Sequence, residues 1–331
     1  MKTVRISLKT TEVRGVRLDE FLMQNIHREI SRTTKIEPLS KSKIRRLIMA
    51  GAVHLDNRPV RIPSLMLVRG SSITVVVDVD RLCHEKNCND IAFELSADRI
   101  LYEDQYLIVV NKPAGLPTEG TVVESRDHLC AAVKRYIEKR DGVPDQYIGL
   151  HHRLDRETSG VILFSKDRTV NRGLHDIFLN HTAQKTYLAI CHRPDDNNMK
   201  SLHREFIIEN CLSRISIMSS RAKWGSVKDG GEPAITNISI LEENRFYLLV
   251  KAVPFTGRTH QIRVHLSEYG LPILGDTLYG GESSLKNVPF LRAMLHAESL
   301  VFPHPITNRK ITVRAALPGD FKLAIKSLNS L

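Results

Sequence analysis

The segment His151-His152-Arg153-Leu154-Asp155-Arg156-Glu157-Thr158-Ser159-Gly160 is the most unusual local sequence in this chain. Asp155 stands between two arginines, and neighbouring cations favour an ionised carboxylate. Such a carboxylate can attack the anomeric carbon of a sugar or stabilise an oxocarbenium-like transition state, as in retaining glycosidases. Taken alone, an Arg-Asp-Arg cluster is more often a structural ion-pair network.

A second dense segment is Thr256-Gly257-Arg258-Thr259-His260-Gln261-Ile262-Arg263-Val264-His265-Leu266. Read as a helix over 258–269 closed by Gly270, it sets His260 and Arg263 on one face at i and i+3. His260 and His265 do not have the i, i+4 spacing of a metalloprotease zinc pair, and no His-Glu-x-x-His occurs. Cys83, His84 and Cys88 lie close together, but without paired Cys-x-x-Cys spacing, so free thiols on a linker are expected. The chain also lacks the Gly-x-x-x-x-Gly-Lys-Ser/Thr and Gly-x-Gly-x-x-Gly loops that cradle nucleotide phosphates. The expectation is chemistry without metal, nucleotide or other cofactor.

The elements that must carry these segments can be read from periodicity. A strand at Val4, Ile6 and Leu8 precedes a helix from about Arg17 with Leu18, Phe21, Leu22 and Ile26 on one face. Ser40 can cap a second helix that turns Ile44, Leu47 and Ile48 inward and Lys41, Lys43, Arg45 and Arg46 outward, with Gly51 ending it. Val53 to Leu55, a turn over Asp56 to Pro59, and a strand from Ile73 to Val77 complete a small α/β unit over residues 1–80. Residues 81–96 are polar and aperiodic, as a linker would be.

From 97 to 325 strands dominate. Ile108 to Val110 runs into a turn at Asn111-Lys112-Pro113-Ala114-Gly115. Asp127 is placed to cap one helix and Asp167 the next, and strands follow at Val161 to Phe164, Lys185 to Ile190, Ile235 to Leu241 and Phe246 to Val253. Strands and helices do not alternate regularly, so the expected class is α+β with a mixed, largely antiparallel sheet rather than a doubly wound fold.

Composition agrees with that division. The 331 residues, 42% of them hydrophobic, suffice for about two domains, and 6% aromatic content predicts an aliphatic core. No apolar run approaches the ~20 residues that span a bilayer, and Met1-Lys2-Thr3-Val4-Arg5 opens no apolar leader, so a cytoplasmic protein away from membranes is expected. Five cysteines, an odd number, fit a reducing compartment. Net charge is +11, and residues 1–80 hold 15 Lys+Arg against 8 Asp+Glu, a local excess of +7. A clustered positive surface favours a polyanionic partner such as nucleic acid.

Residues 1–80 resemble the small RNA-binding domain first recognised in ribosomal protein S-four. The likeness rests on Arg17-Leu18-Asp19, Ser40-Lys41-Ser42-Lys43-Ile44 and Gly51-Ala52-Val53. It implies that Lys41, Lys43, Arg45 and Arg46 contact RNA, reading backbone shape more than sequence.

Four further blocks, in order, resemble the large-subunit ribosomal pseudouridine synthase family. They are Leu101-Tyr102-Glu103-Asp104 through Gly115; His152 through Gly160 with Lys166; Gly257 through Leu266 continuing into Gly275-Asp276-Thr277-Leu278-Tyr279-Gly280; and Leu295-His296-Ala297 with His304-Pro305. Lys185-Thr186-Tyr187 and Ala234-Ile235-Thr236 fall between them. The resemblance implies a cofactor-free isomerase, expected to act as a monomer, that converts uridine to pseudouridine in structured RNA, with ribosomal RNA as the expected partner. It implies Asp155 as the essential aspartate and Arg263 as the basic residue paired with it. Tyr187 becomes the tyrosine that stacks on the target base and serves late proton abstraction, and Arg153 an arginine that fills the space left by a flipped-out uridine. Leu295 falls where a hydrophobic pocket residue is expected, and Arg156, Arg258 and His260 are expected to contact substrate. The chain departs from the family pattern at Leu116-Pro117-Thr118-Glu119-Gly120, where a His-Pro pair is common, and residues 192–232 find little match. A chaperone-like RNA binder without catalysis, and a nucleosidase using the same carboxylate, are the competing readings.

Overall fold

Leu107 to Lys112 and Ser159 to Ser165 are buried along nearly their whole length, so the sheet that contains them must be covered on both faces. The computed structural model describes residues 3–10, 15–33, 44–45, 47–48, 52–56, 58–60, 62–78, 93–120, 127–193, 203–216 and 222–330. The chain divides into two compact units, Met1–Ile91 with Gly120–Arg126, and Ala92–Glu119 with Asp127–Leu331.

In the first unit, strands β1 (Thr3–Lys9), β2 (Val53–Leu55), β3 (Arg58–Val60) and β4 (Ser72–Asp78) form an antiparallel sheet in the order β1-β4-β2-β3. Helix α1 (Leu18–Thr33) buries Leu18, Leu22 and Ile26, one residue per turn on one stripe, together with Ile44, Ile48, Val53, Ile73 and Val75. The Arg17-Leu18-Asp19 motif is structural here: Arg17 Nε and Nη2 donate to the two carboxylate oxygens of the fully buried Asp19 at 3.0 and 2.9 Å. Arg58 and Pro59, expected in a turn, belong to β3, because Leu55 pairs with Arg58 and brings the reversal to Asp56, whose φ is 46°. Ser40, Lys41, Lys43, Arg46 and Gly51 lie outside the described residues, as do residues 81–92 with Cys83, His84 and Cys88.

In the second unit the strands are β5 (Ile100–Glu103), β6 (Leu107–Lys112), β7 (Gly149–Leu150), β8 (Ser159–Ser165), β9 (Gln184–His192), β10 (Glu205–Arg214), β11 (Trp224–Ser226), β12 (Glu232–Glu243), β13 (Tyr247–Pro254), β14 (Ser284–Leu285), β15 (Val288–Pro289), β16 (Leu295–Pro303) and β17 (Lys310–Arg314). The helices are α2 (Leu129–Asp141), α3 (Asn171–Leu179), α4 (Gln261–Glu268) and α5 (Gly319–Asn329). The main sheet runs β11-β10-β12-β13-β9-β16-β8-β6-β5, with β7 beside β8 and β17 beside β16. Among the described residues every pairing is antiparallel except the short one between β8 and β16. The α+β class and largely antiparallel sheet expected from the sequence are therefore present.

Alternation along the central strands sorts two cores. Ile108, Val110, Ile162 and Phe164 face one of them, with Leu129, Val133 and Ile137 of α2 and Phe321 of α5. Leu107, Val109, Val161 and Leu163 face the other, with Leu174 and Ile177 of α3 and Phe302 of β16. At the parallel contact Gly160 faces Ala297 with φ 116°, and a Cβ there would meet the Ala297 carbonyl oxygen at 2.1 Å. Only glycine permits that approach, which fixes the start of β8 and the loop that precedes it.

Three local expectations are corrected. Asn111 and Lys112 end β6 rather than form a turn, since they pair with Val161 and Gly160. His128, not Asp127, caps α2, its Nδ1 accepting from the Ala131 N–H; Asp127 instead pairs with Arg135 and accepts from the Phe93 N–H. The helix expected over 258–269 begins only at Gln261, because the Gln261 amide captures the preceding loop. Its oxygen accepts from Thr256 Oγ1 and the Arg258 N–H, and its nitrogen donates to the Ile235 carbonyl and Thr236 Oγ1.

Candidate active site

Asp155 lies in the loop between β7 and β8, and three neighbours hold that loop. Thr118 Oγ1 donates to the Leu154 carbonyl at 2.7 Å and accepts from the Leu154 N–H at 3.2 Å. The Gly115 N–H donates to the Arg156 carbonyl at 2.8 Å. Lys112 is fully buried, and its ammonium donates to the carbonyls of Pro113, Leu116 and Arg156 at 2.9, 2.7 and 3.1 Å. Burial pushes the Lys112 pKa down to about 7, and the charge of Asp155 works against that shift. The loop that departs from the family pattern at Thr118 is thus the one that positions Asp155.

The cation that meets Asp155 is neither of its flanking arginines. Arg153 pairs with Glu119 at 2.8 Å, and Arg156 donates to the Gly115 carbonyl at 3.1 Å. Instead Arg263 of α4 places Nη1 3.1 Å from Asp155 Oδ2. Its Nε and Nη2 donate to the two oxygens of Asp276 at 2.6 and 2.8 Å, and Asp276 is 1% exposed. The two carboxylates hold the buried guanidinium protonated against the cost of desolvation. Arg263 also lies over the Tyr279 ring, 5.0 Å from its centroid.

His260 is held at φ 57° just before α4, with Nε2 3.8 Å from Asp155 Oδ2. Tyr279 accepts the Trp224 N–H at 3.0 Å, and its oxygen shares a 2.8 Å hydrogen bond with His260 Nδ1. With the phenol as donor in that bond, the imidazole proton sits on Nε2, facing the carboxylate. Burial lowers the His260 pKa, which favours this neutral form. Trp224, in the segment the family pattern left unmatched, thereby reaches the site through its backbone.

Tyr187 of β9 and Leu295 of β16 are 8% and 3% exposed and contribute wall to the same open pocket of about 650 Å³. Burial pushes the Tyr187 phenol up, and the charge of Asp155 adds to the shift, so the ring stays neutral. Of the sequence-derived residues, Asp155, Tyr187, Arg263, Arg153, Arg258, His260 and Leu295 line this pocket, whereas Arg156 does not. Arg258 is turned to Glu232. Arg45, in the first unit, is exposed and lies 3.5 Å from Asp19.

Sequence expectations did not single out Lys112, Thr118 or Arg292 individually. Arg292 donates to the carbonyls of Glu157, Ala293 and Leu295 and pairs with Asp320, tying the Asp155 loop to β16. Their ordinary residue types carry no signal until the folded chain assembles their partners. Among the described residues no cluster of His, Cys, Asp and Glu is arranged to hold a metal ion. No helix among them is long and apolar enough to cross a membrane. A one-quarter exposed carboxylate, gripped from behind by an arginine and faced by an aromatic ring, can act on the sugar of a bound nucleotide.

Comparison with known proteins matches residues 106–268 to the RNA pseudouridylate synthase family and residues 37–73 to the S4 domain. The chain is 32% identical to ribosomal large subunit pseudouridine synthase D of Zymomonas mobilis, covering 99% of this chain and 98% of the relative. It is 30% identical to ribosomal large subunit pseudouridine synthase C of Escherichia coli K12, with the same coverage of 99% and 98%. Among solved structures, human RNA pseudouridylate synthase domain containing 4 superimposes with a TM-score of 0.57 at 24% identity, over 70% of this chain and 93% of the human one, a likeness of fold.

Proposed function

This chain belongs to the RNA pseudouridylate synthase family, and from that premise we propose that it isomerises specific uridines of large-subunit ribosomal RNA, with Asp155 as the catalytic carboxylate on a flipped-out uridine. As a member of the family it is an isomerase acting on RNA. The names of its relatives support large-subunit ribosomal RNA as the substrate. The observation that carries the assignment to Asp155 is its ion pair with the buried Arg263 inside a pocket walled by Tyr187 and Leu295.

The reaction breaks the bond between uracil N1 and the sugar, turns the base and rejoins it through ring carbon 5. With Asp155 and Asp276 as carboxylates and Arg263 as cation, this cluster carries one net negative charge. That sign suits a sugar on which positive charge develops. Attack by the carboxylate on the anomeric carbon and removal of a sugar proton by it both need the uridine out of its stack, at a cost of a few kcal/mol. In this reading Tyr187, which lines the pocket with Asp155, stacks on the base and takes part in the late proton abstraction from ring carbon 5. Its raised pKa requires a proton acceptor for that step, and Asp155 is the carboxylate whose charge it feels. Arg153 would leave Glu119 to occupy the vacated helix. Because the reaction is an isomerisation, no redox partner enters.

The same reading carries a basic RNA-binding domain over 1–80, a linker over 81–96 and a catalytic domain over 97–325, working as a cytoplasmic monomer. The test is Asp155→Asn, assayed for pseudouridine in large-subunit RNA and for RNA affinity. Pseudouridine formation is expected to vanish with affinity nearly unchanged. Full activity would overturn the assignment, and release of free uracil by the wild type would point to a nucleosidase.

A further inference from the structure

Among the described residues four lysines and arginines line the pocket, and three already face carboxylates: Arg153 faces Glu119, Arg258 faces Glu232, and Arg263 faces Asp155 and Asp276. Lys185 is the exception. Among the described residues its ammonium makes no hydrogen bond and no ion pair. It precedes Tyr187 by two positions on β9, so the two side chains leave the same face of the strand. The ammonium lies 6.0 Å from the centroid of the Phe178 ring. It also approaches Gly257 so closely that a Cβ there would come within 3.3 Å of Nζ.

Lys185 is half-buried, and burial lowers its pKa. An anion that enters the pocket would supply a counter-charge within reach of Nζ. RNA brings a phosphate with every nucleotide, and a uridine bound against Tyr187 brings its own backbone with it. We propose that Lys185 is a phosphate subsite, its ammonium binding a non-bridging oxygen of a phosphodiester that adjoins the target uridine and so fixing the sugar against Asp155. This rests on the reading that the pocket takes a flipped-out uridine. A uracil carbonyl could also accept from Nζ, but it would leave the charge uncompensated.

The test is equilibrium binding of hairpin RNAs in which the phosphate on the 5′ or the 3′ side of the target uridine is a neutral methylphosphonate. Wild type is expected to bind one of the two about tenfold more weakly than unmodified RNA, the worth of a charge-assisted hydrogen bond. Lys185→Gln should lose about the same factor on unmodified RNA and nothing further on that methylphosphonate. Lys185→Arg keeps the charge and should keep the response. Gly257→Ala, which crowds Nζ without removing it, should weaken binding of unmodified RNA only, and serves if Lys185→Gln does not fold. A Lys185→Gln protein that still responds as wild type does, or a wild type indifferent to both methylphosphonates, overturns the subsite. Activity of Asp155→Asn reports separately on the reading beneath it, because these are binding measurements that need no turnover.

Discussion

Arg263 and Asp155, 108 residues apart in sequence, meet at 3.1 Å while the same guanidinium grips Asp276 through two parallel bonds. The geometry needs a planar fork, since one edge serves Asp276 and the remaining nitrogen serves Asp155. Arg263→Lys keeps the charge but cannot reach both carboxylates. Steady-state kinetics should show kcat lower by about 10²–10³, with KM little changed, as expected when an electrostatic partner of the transition state is lost. An Arg263→Lys enzyme at wild-type rate would mean that the fork is not required.

Tyr279 bonds at once to the Trp224 N–H and His260 Nδ1. Burial raises its pKa, so the phenol remains a donor at neutral pH. Tyr279→Phe strands both partners, which should cost about 1–3 kcal/mol of stability. It should also let the His260 proton move between ring nitrogens. Nitrogen-15 NMR of the ring would report the tautomer, and kcat should fall about tenfold if Nε2–H matters to Asp155.

Gly160 accepts the Ala297 carbonyl where any Cβ would collide. Gly160→Ala is expected to destabilise the fold by about 3 kcal/mol or more, combining overpacking with a strained φ. Urea denaturation checks this, and a loss under 1 kcal/mol, within the about ±0.5 kcal/mol of an ordinary surface site plus error, would contradict it.

His265 of α4 is completely buried, with Nε2 bonded to Asn210 Oδ1 and Nδ1 without a partner among the described residues. Burial lowers its pKa to about 4, against about 6.5 in an unfolded chain. The unfolded state therefore binds the extra proton first, and this contribution to stability is lost as pH falls from about 6.5 through about 4. Between pH 7 and pH 5 the wild type should lose about 2 kcal/mol more than His265→Gln. Equal losses in urea titrations at the two pH values would refute the assignment.

The basic residues of the first unit yield a prediction about salt. Replacing Lys41, Lys43, Arg45 and Arg46 by glutamine should weaken RNA binding and lower the slope of log affinity against log salt. The slope should fall by about 0.7 for each single-strand phosphate that the variant no longer neutralises. Arg45 should contribute least, because it already lies 3.5 Å from Asp19. An unchanged slope would assign these cations a purpose other than RNA.

Much of this protein is determined by sequence-local rules. Unbroken apolar runs mark β6 and β8, and the i, i+4 stripe of Leu18, Leu22 and Ile26 marks α1, because both patterns follow from which faces of one element are covered. The ordered blocks around Asp155, Tyr187 and Arg263 likewise name the family from residue types alone. Tertiary structure decided which charges meet. The arginines beside Asp155 turn to Glu119 and to the Gly115 carbonyl, and the partner arrives from α4. It also decided that Lys112 is a buried clamp, that Gln261 rather than Arg258 begins a helix, and that Lys185 stands in the pocket with no carboxylate against it among the described residues. Pairing and desolvation depend on distances between residues far apart in the chain, and no spacing within a motif encodes those distances.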